Sequence, residues 1–231
     1  PNTEIKKMAT HDNVAAAVDN TMCRLLMNSR KVDSNEFSGD MILVRDIIIK
    51  YILRGIMRYD IAHEGYTIAG LEKDVNWQCP ISGDRMVNLS GRADRIDRRT
   101  DGSLQIIDYK SGNTPHLEYN GMVALFRGGA QERVSNIFQT MLYSMILNRK
   151  YNLESCPSLY FASKMLSEEY SPLILDRTTG AYVERYSDIS EEFERELGAI
   201  LEELFDYSTP FRQTDDTDMC KYCDFKKICR R

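Results

Sequence analysis

No stretch of this chain approaches the ~20 consecutive apolar residues that a membrane-spanning helix needs, so no membrane partner is expected. The N-terminal residues lack the charged, apolar and small-residue order of a secretory signal. Internal repeats and low-complexity tracts are also missing, which sets aside solenoid and linker architectures. Positive charge is not in excess. Thirty Lys and Arg stand against 35 Asp and Glu, a formal net charge of −5. That balance argues against a nonspecific nucleic-acid coat. It leaves open an enzyme that acts on nucleic acid, because such an enzyme needs only a local basic track and its own carboxylates add negative charge.

With 231 residues the chain has room for one large domain or two small ones. Hydrophobic residues at 42% and charged residues at 28% place it among ordinary globular proteins. Six cysteines with no secretory signal point to a reducing, cytoplasmic setting, where metal binding is favoured over disulfides.

Residues 91–112 organise the rest. Leu89, Gly91 and Ala93 alternate with polar residues, Asp101-Gly102 marks a tight turn, and residues 104–107 open a more apolar strand. In such a hairpin Asp108 and Lys110 share one face, Tyr109 takes the other, and Asp94 on the partner strand reaches the first face. Two carboxylates that close repel each other, and a buried one is costly to keep ionised. A divalent cation removes both costs. Mg²⁺ prefers hard oxygen donors, and Asp94, Asp108 and the Tyr109 backbone carbonyl supply them. Lys110 is then placed to offset charge on a phosphoryl group, which points to phosphodiester hydrolysis. An exposed hairpin with solvated charges would explain either strand alone, but accounts less well for the pair.

Gly-x-x-Asp-Arg-Ile-Asp followed by Ile-Ile-Asp-Tyr-Lys-Ser-Gly resembles the core of the PD-(D/E)XK nuclease superfamily in its RecB-like branch. The resemblance implies an α/β fold, a restriction-endonuclease-like central mixed β-sheet flanked by helices. It implies metal-binding roles for Asp94 and Asp108 and a catalytic role for Lys110. Glu72 matches, more weakly, a metal-site glutamate on the preceding strand. It further implies a Mg²⁺- or Mn²⁺-dependent deoxyribonuclease, an exonuclease module of a bacterial helicase–nuclease acting in double-strand break repair. DNA and helicase domains would be its partners.

Along the chain, residues 1–30 and about 40–60 read as helices, the second so densely apolar that it is expected in the core. Its cations Arg45, Lys50, Arg54 and Arg58 are expected on a solvated face. Residues 31–39 read as a loop. Residues 66–78 alternate as a strand, and residues 113–133 read as an irregular stretch in which Arg127 and Arg133 would meet phosphates. Residues 134–149 form an amphipathic helix. Gln139 and Tyr143 share one of its faces, and the resemblance implies that this pair lies beside the site and contacts DNA or the metal-bound waters. Strands are expected at 157–163 and 172–175, and an acidic helix at 188–206. The organisation expected is a helical segment over 1–65, a nuclease core over 66–215 and a cysteine-rich tail over 216–231.

That tail carries Cys220, Cys223 and Cys229 within ten residues. Thiolates so close suit one soft ion, with zinc as the reading from chemistry alone. The resemblance implies instead a [4Fe–4S] cluster with a fourth cysteine far upstream. Cys23 looks like core, Cys79 sits in a turn where it could ligate, and Cys156 reads as structural. The upstream Gly-x-x-x-His helix of the family has no match around His11, His63 or His116. The chain is therefore expected to begin after that helix and after the first cluster cysteine, and to be incomplete as a catalyst. Two further readings remain: a non-catalytic DNA-end-binding or scaffold subunit, and a zinc-stabilised interaction module.

Overall fold

Thr10 splits the N-terminal helical pattern in this computed structural model, which describes residues 2–28, 36–63, 65–112, 116–129, 134–210, 212–221 and 223–231. Its backbone is extended (φ −102°, ψ 151°) and its hydroxyl accepts from the Asn13 amide at 3.3 Å. An N-cap of this kind satisfies one orphan donor of the new helix. The expected helix over 1–30 is therefore two, α1 (Asn2–Met8) and α2 (His11–Leu26). Part of the expected 31–39 loop lies outside the described residues.

The chain divides into two compact units. The first holds residues 1–67, 109–115 and 160–172. After α2 comes α3 (Gly39–Tyr51), then a π-helical segment (Ile52–Met57), then α4 (Arg58–Ala62). Val14, Val18, Met22, Cys23, Phe37 and Ile49 form a core between α2 and α3. Arg45 ties the two helices together, its Nη2 donating to the Asp19 carboxylate at 3.0 Å. Arg58 Nη2 donates to the Met165 and Ser167 carbonyls at 2.9 and 3.0 Å. Neither arginine stands free on a solvated face.

One expectation fails on α3. Ile42, Leu43, Val44 and Ile47 are exposed at 47, 61, 46 and 39%, and within α3 full burial goes to Ile49. The apolar density signals a helix that needs cover, but the described residues cover one side of it.

The second unit holds residues 68–108, 116–159 and 173–231. Its β1 (Tyr66–Pro80, beginning in the first unit) and β2 (Met86–Arg99) form a hairpin closed at residues 81–85. The cross-strand pairs Gln78–Asn88 and Asp74–Arg92, at 3.3 and 2.9 Å, run in opposite senses, as antiparallel strands require. β3 (Leu104–Lys110) returns against β2 through Asp101-Gly102, as expected. Gly102 takes φ +85°, and Asp101 Oδ1 accepts from the Ser103 amide and hydroxyl at 2.9 and 2.6 Å. Both are turn chemistry.

The stretch expected to be irregular contains β4 (Glu118–Tyr119) and α5 (Met122–Arg127). Next comes α6 (Ser135–Tyr151), ended by Asn152 in left-handed backbone, and then β5 (Ser155–Phe161), buried at every residue. β5 runs parallel to β3, since the Leu104 amide donates to Glu154 at one end and the Ala162 amide to Lys110 at the other. The connection through α6 is the crossover that parallel strands need. The four-stranded sheet has the order β1-β2-β3-β5. β6 (Ile174–Asp176) and β7 (Ala181–Val183) join β4 in a smaller sheet ordered β4-β6-β7. α7 (Ser190–Leu204) buries Phe193, Leu197 and Leu201, with Phe193 against Phe126 and Phe138. The fold is the α/β arrangement expected, a central mixed sheet flanked by helices. Among the described residues no helix is long and apolar enough to cross a membrane.

Candidate active site

Register builds the site. β2 and β3 pair Arg95 with Ile107 and Ile96 with Ile106. One step further along the same register sets Asp94 opposite Asp108. Residues directly opposite in an antiparallel pair point to one face, with Cβ atoms ~5 Å apart. Asp108 is 3% exposed and Asp94 half-buried. β3 can bury a carboxylate at this point because its preceding residues Leu104, Ile106 and Ile107 fix the strand in the core.

The other face of β2 carries a second buried charge that the sequence reading passed over. Arg95 donates from Nε and Nη2 to the two oxygens of Asp97, at 2.8 and 2.7 Å, with both side chains at most 3% exposed. Burial pushes the Asp97 carboxyl above its ordinary value, against the opposing pull of Arg95. Arg-x-Asp on a strand is the signal for such a pair, since residues two apart share a face.

The boundary between the two units falls inside β3, between Asp108 and Tyr109. In the first unit the Lys110 carbonyl accepts from Ala162 at 3.0 Å, and the Tyr109 ring meets Tyr160 edge-on at 5.7 Å. Tyr160 meets Tyr59 in the same way, and Tyr59 stacks on His63 at 3.8 Å. Strand alternation gives Lys110 the same face of β3 as Asp108.

Glu72 is exposed, in left-handed backbone (φ +48°), and its charge is felt by Arg92 on the neighbouring strand. Gln139 and Tyr143 come together on α6, the Gln139 Nε2 donating to the Tyr143 hydroxyl oxygen at 3.0 Å. The Tyr143 ring lies against β2 at Gly91.

Arg127, 42% exposed, pairs with Glu203 of α7 at 3.0 Å. Arg133 lies outside the described residues. Cys23 and Cys156 are core, each 1% exposed. Cys79 ends β1 buried, and burial raises its thiol pKa. Cys220, Cys223 and Cys229 are half-buried free thiols beside a segment in which Gln213 donates to the Cys229 carbonyl at 3.2 Å. Among the described residues no three His, Cys, Asp or Glu side chains form a metal-holding group. In this structure the three tail thiols are not gathered into such a group, nor is Glu72 with the two aspartates.

A hard cation at Asp94 and Asp108 is a different case. Two carboxylates from paired strands, one of them buried, are an all-oxygen donor set, and Mg²⁺ takes one or two carboxylates while keeping several waters. The donors present fit it.

Residues 3–230 match the family model of the PD-(D/E)XK nuclease superfamily, a match that takes in both strands of the site hairpin, α6 and the tail. No curated protein matches the chain.

Proposed function

The chain belongs to the PD-(D/E)XK nuclease superfamily, and we propose that it hydrolyses phosphodiester bonds in DNA with a divalent cation, Mg²⁺ or Mn²⁺. Asp94, Asp108 and the Tyr109 carbonyl would hold that cation, which when bound supplies Lewis-acid polarisation of the phosphoryl group. The protein's own residues do the rest. Asp108, buried on β3, would fix where that cation, and through it the phosphate, must sit. The Lys110 ammonium offsets the negative charge that builds on the phosphoryl oxygens and can donate a hydrogen bond to them. The observation that carries this reading is the Asp94–Asp108 register on β2 and β3, with Asp108 3% exposed.

The finer reading is an exonuclease module of a bacterial helicase–nuclease in double-strand break repair, with helicase domains as partners. The spacing of the hairpin motif, the Gln139–Tyr143 pair and the cysteine tail support it. The test is cleavage of linear DNA with Mg²⁺ or Mn²⁺, by this chain and by a version extended upstream, each beside Asp108→Ala. Cleavage lost in the variant supports the proposal. A second reading is favoured by the exposed position of Glu72: a DNA-end-binding scaffold. DNA bound by both proteins and cut by neither would establish it.

A further inference from the structure

We propose that a cleft at the turn end of the β2–β3 hairpin binds a nucleoside monophosphate, free or at the phosphorylated end of a DNA strand. The cleft is separate from Asp94 and Asp108 and does not rest on the nuclease reading. Arg99 lies five residues along β2 from Asp94, ~16 Å at ~3.3 Å per residue. All the lining residues belong to the second unit. The walls are the hairpin turn, the start of β5 and the chain just after β7, and they enclose about 570 Å³. That volume falls within the ~300–1,000 Å³ of small-ligand sites.

Three arginines line the cleft, and they are not equally committed. Arg185 pairs with Glu154 at 3.5 Å. Arg98 Nη1 reaches the Gly102 carbonyl at 3.5 Å, and the Arg99 charge is felt at Asp97, Asp101 and the Cys156 thiol. Among the described residues no carboxylate forms an ion pair with Arg98 or Arg99. Two such guanidiniums on one cleft match a phosphate dianion, which accepts charge-assisted hydrogen bonds from both. The three carboxylates on the same walls decide the rest of the ligand. Asp101 is taken up by Ser103, and Glu154 accepts from the Ser155 and Ser187 amides at 2.9 and 3.2 Å. Glu184 is exposed, makes no ion pair among the described residues, and suits a hydroxyl or amino donor of a sugar or base. With its charges balanced, the cleft is a poor track for the length of a polyanion and a better fit for one nucleotide. A buried hydroxyl points the same way. Ser155 lines the cleft at 1% exposure, and its Oγ has no hydrogen-bond partner among the described residues. Such a group is costly until something supplies a partner, and a ligand oxygen in the cleft does so.

The experiment is calorimetric titration of the protein with deoxyadenosine monophosphate, deoxyadenosine and inorganic phosphate. A chelator keeps cations from Asp94 and Asp108. The monophosphate should bind at least about tenfold more tightly than either fragment. Arg99→Gln should weaken it on the order of 10- to 100-fold and Ser155→Ala about fivefold, while Asp108→Ala leaves it unchanged. Arg98→Gln, at an exposed position, gives the same reading on the order of tenfold even if Arg99→Gln does not fold. No binding at millimolar concentration would overturn the proposal. So would equal affinity for inorganic phosphate, or undiminished binding by Arg98→Gln. A short DNA strand with a terminal phosphate, beside the same strand ending in a hydroxyl, identifies the source. Tighter binding of the phosphorylated strand, lost in Arg98→Gln, assigns the cleft to DNA ends. Equal binding of the two strands, with the monophosphate bound, assigns it to the free nucleotide.

Discussion

The β2–β3 hairpin and α3 distribute polarity in opposite ways. The hairpin takes Asp108, Arg95 and Asp97 out of solvent, while α3 leaves Ile42, Leu43, Val44 and Ile47 in it. Burying charge is costly and is tolerated where partners, hydrogen bonds or a cation compensate. Exposing hydrocarbon forgoes stabilisation of ~25 cal/mol per Å² without straining anything. The hairpin is therefore the place where a substitution is felt, and the outer face of α3 the place where it is not.

The sharpest way to probe the hairpin is Asp108→Asn. It is expected to reduce Mg²⁺-dependent cleavage on the order of 10²–10³-fold or more. The melting temperature should change far less than the activity, because the amide fills the same space. A matching loss of melting temperature would make Asp108 a structural partner instead. Next in size is Arg95→Met, which strands Asp97 in the sheet and should cost ~3–5 kcal/mol in urea unfolding. Arg95→Met with Asp97→Leu should recover most of that, as apolar replacements of a buried pair often do.

The pH dependence is smaller, and its sign is fixed. Burial raises the Asp97 pKa in the folded protein, so folding takes up a proton between the ordinary and the raised value. Stability of the wild type relative to Asp97→Asn should fall as pH rises through that interval and be level above it. Urea titrations of both proteins across acidic pH would show a reversed slope if Arg95 dominated instead. Smallest of all should be Leu43→Lys on α3, within ~0.5 kcal/mol. On the inner face of the same helix, Ile49→Ala should cost ~2–5 kcal/mol. A large loss from Leu43→Lys would mean that the outer face is covered in solution.

What could be read from the sequence follows the same division. Alternation around Asp101-Gly102 located the hairpin, and two-residue periodicity placed Asp108 and Lys110 on one face. The helices α6 and α7 stood out by apolar period. The exposure of α3 was not legible, because apolar density shows that a helix needs a partner and not where the partner comes from. β4 and α5 were missed because two and six residues are too short to show a period. The pairing of Arg127 was not legible because its partner Glu203 is 76 residues away.

The π segment between α3 and α4 has a consequence for comparison among relatives. A π turn holds one residue more than an α turn, so residues 52–57 are wound as an α-helix would be after a single-residue insertion. A relative lacking one residue here would run from Gly39 to the end of α4 as one regular helix. Gly55, whose added Cβ would come within 3.3 Å of the Ala162 carbonyl oxygen, is where the widened turn meets its neighbour. Sequence alignments across this helix should therefore carry their gap within 52–57, with the apolar pattern on either side shifted in phase by ~100°.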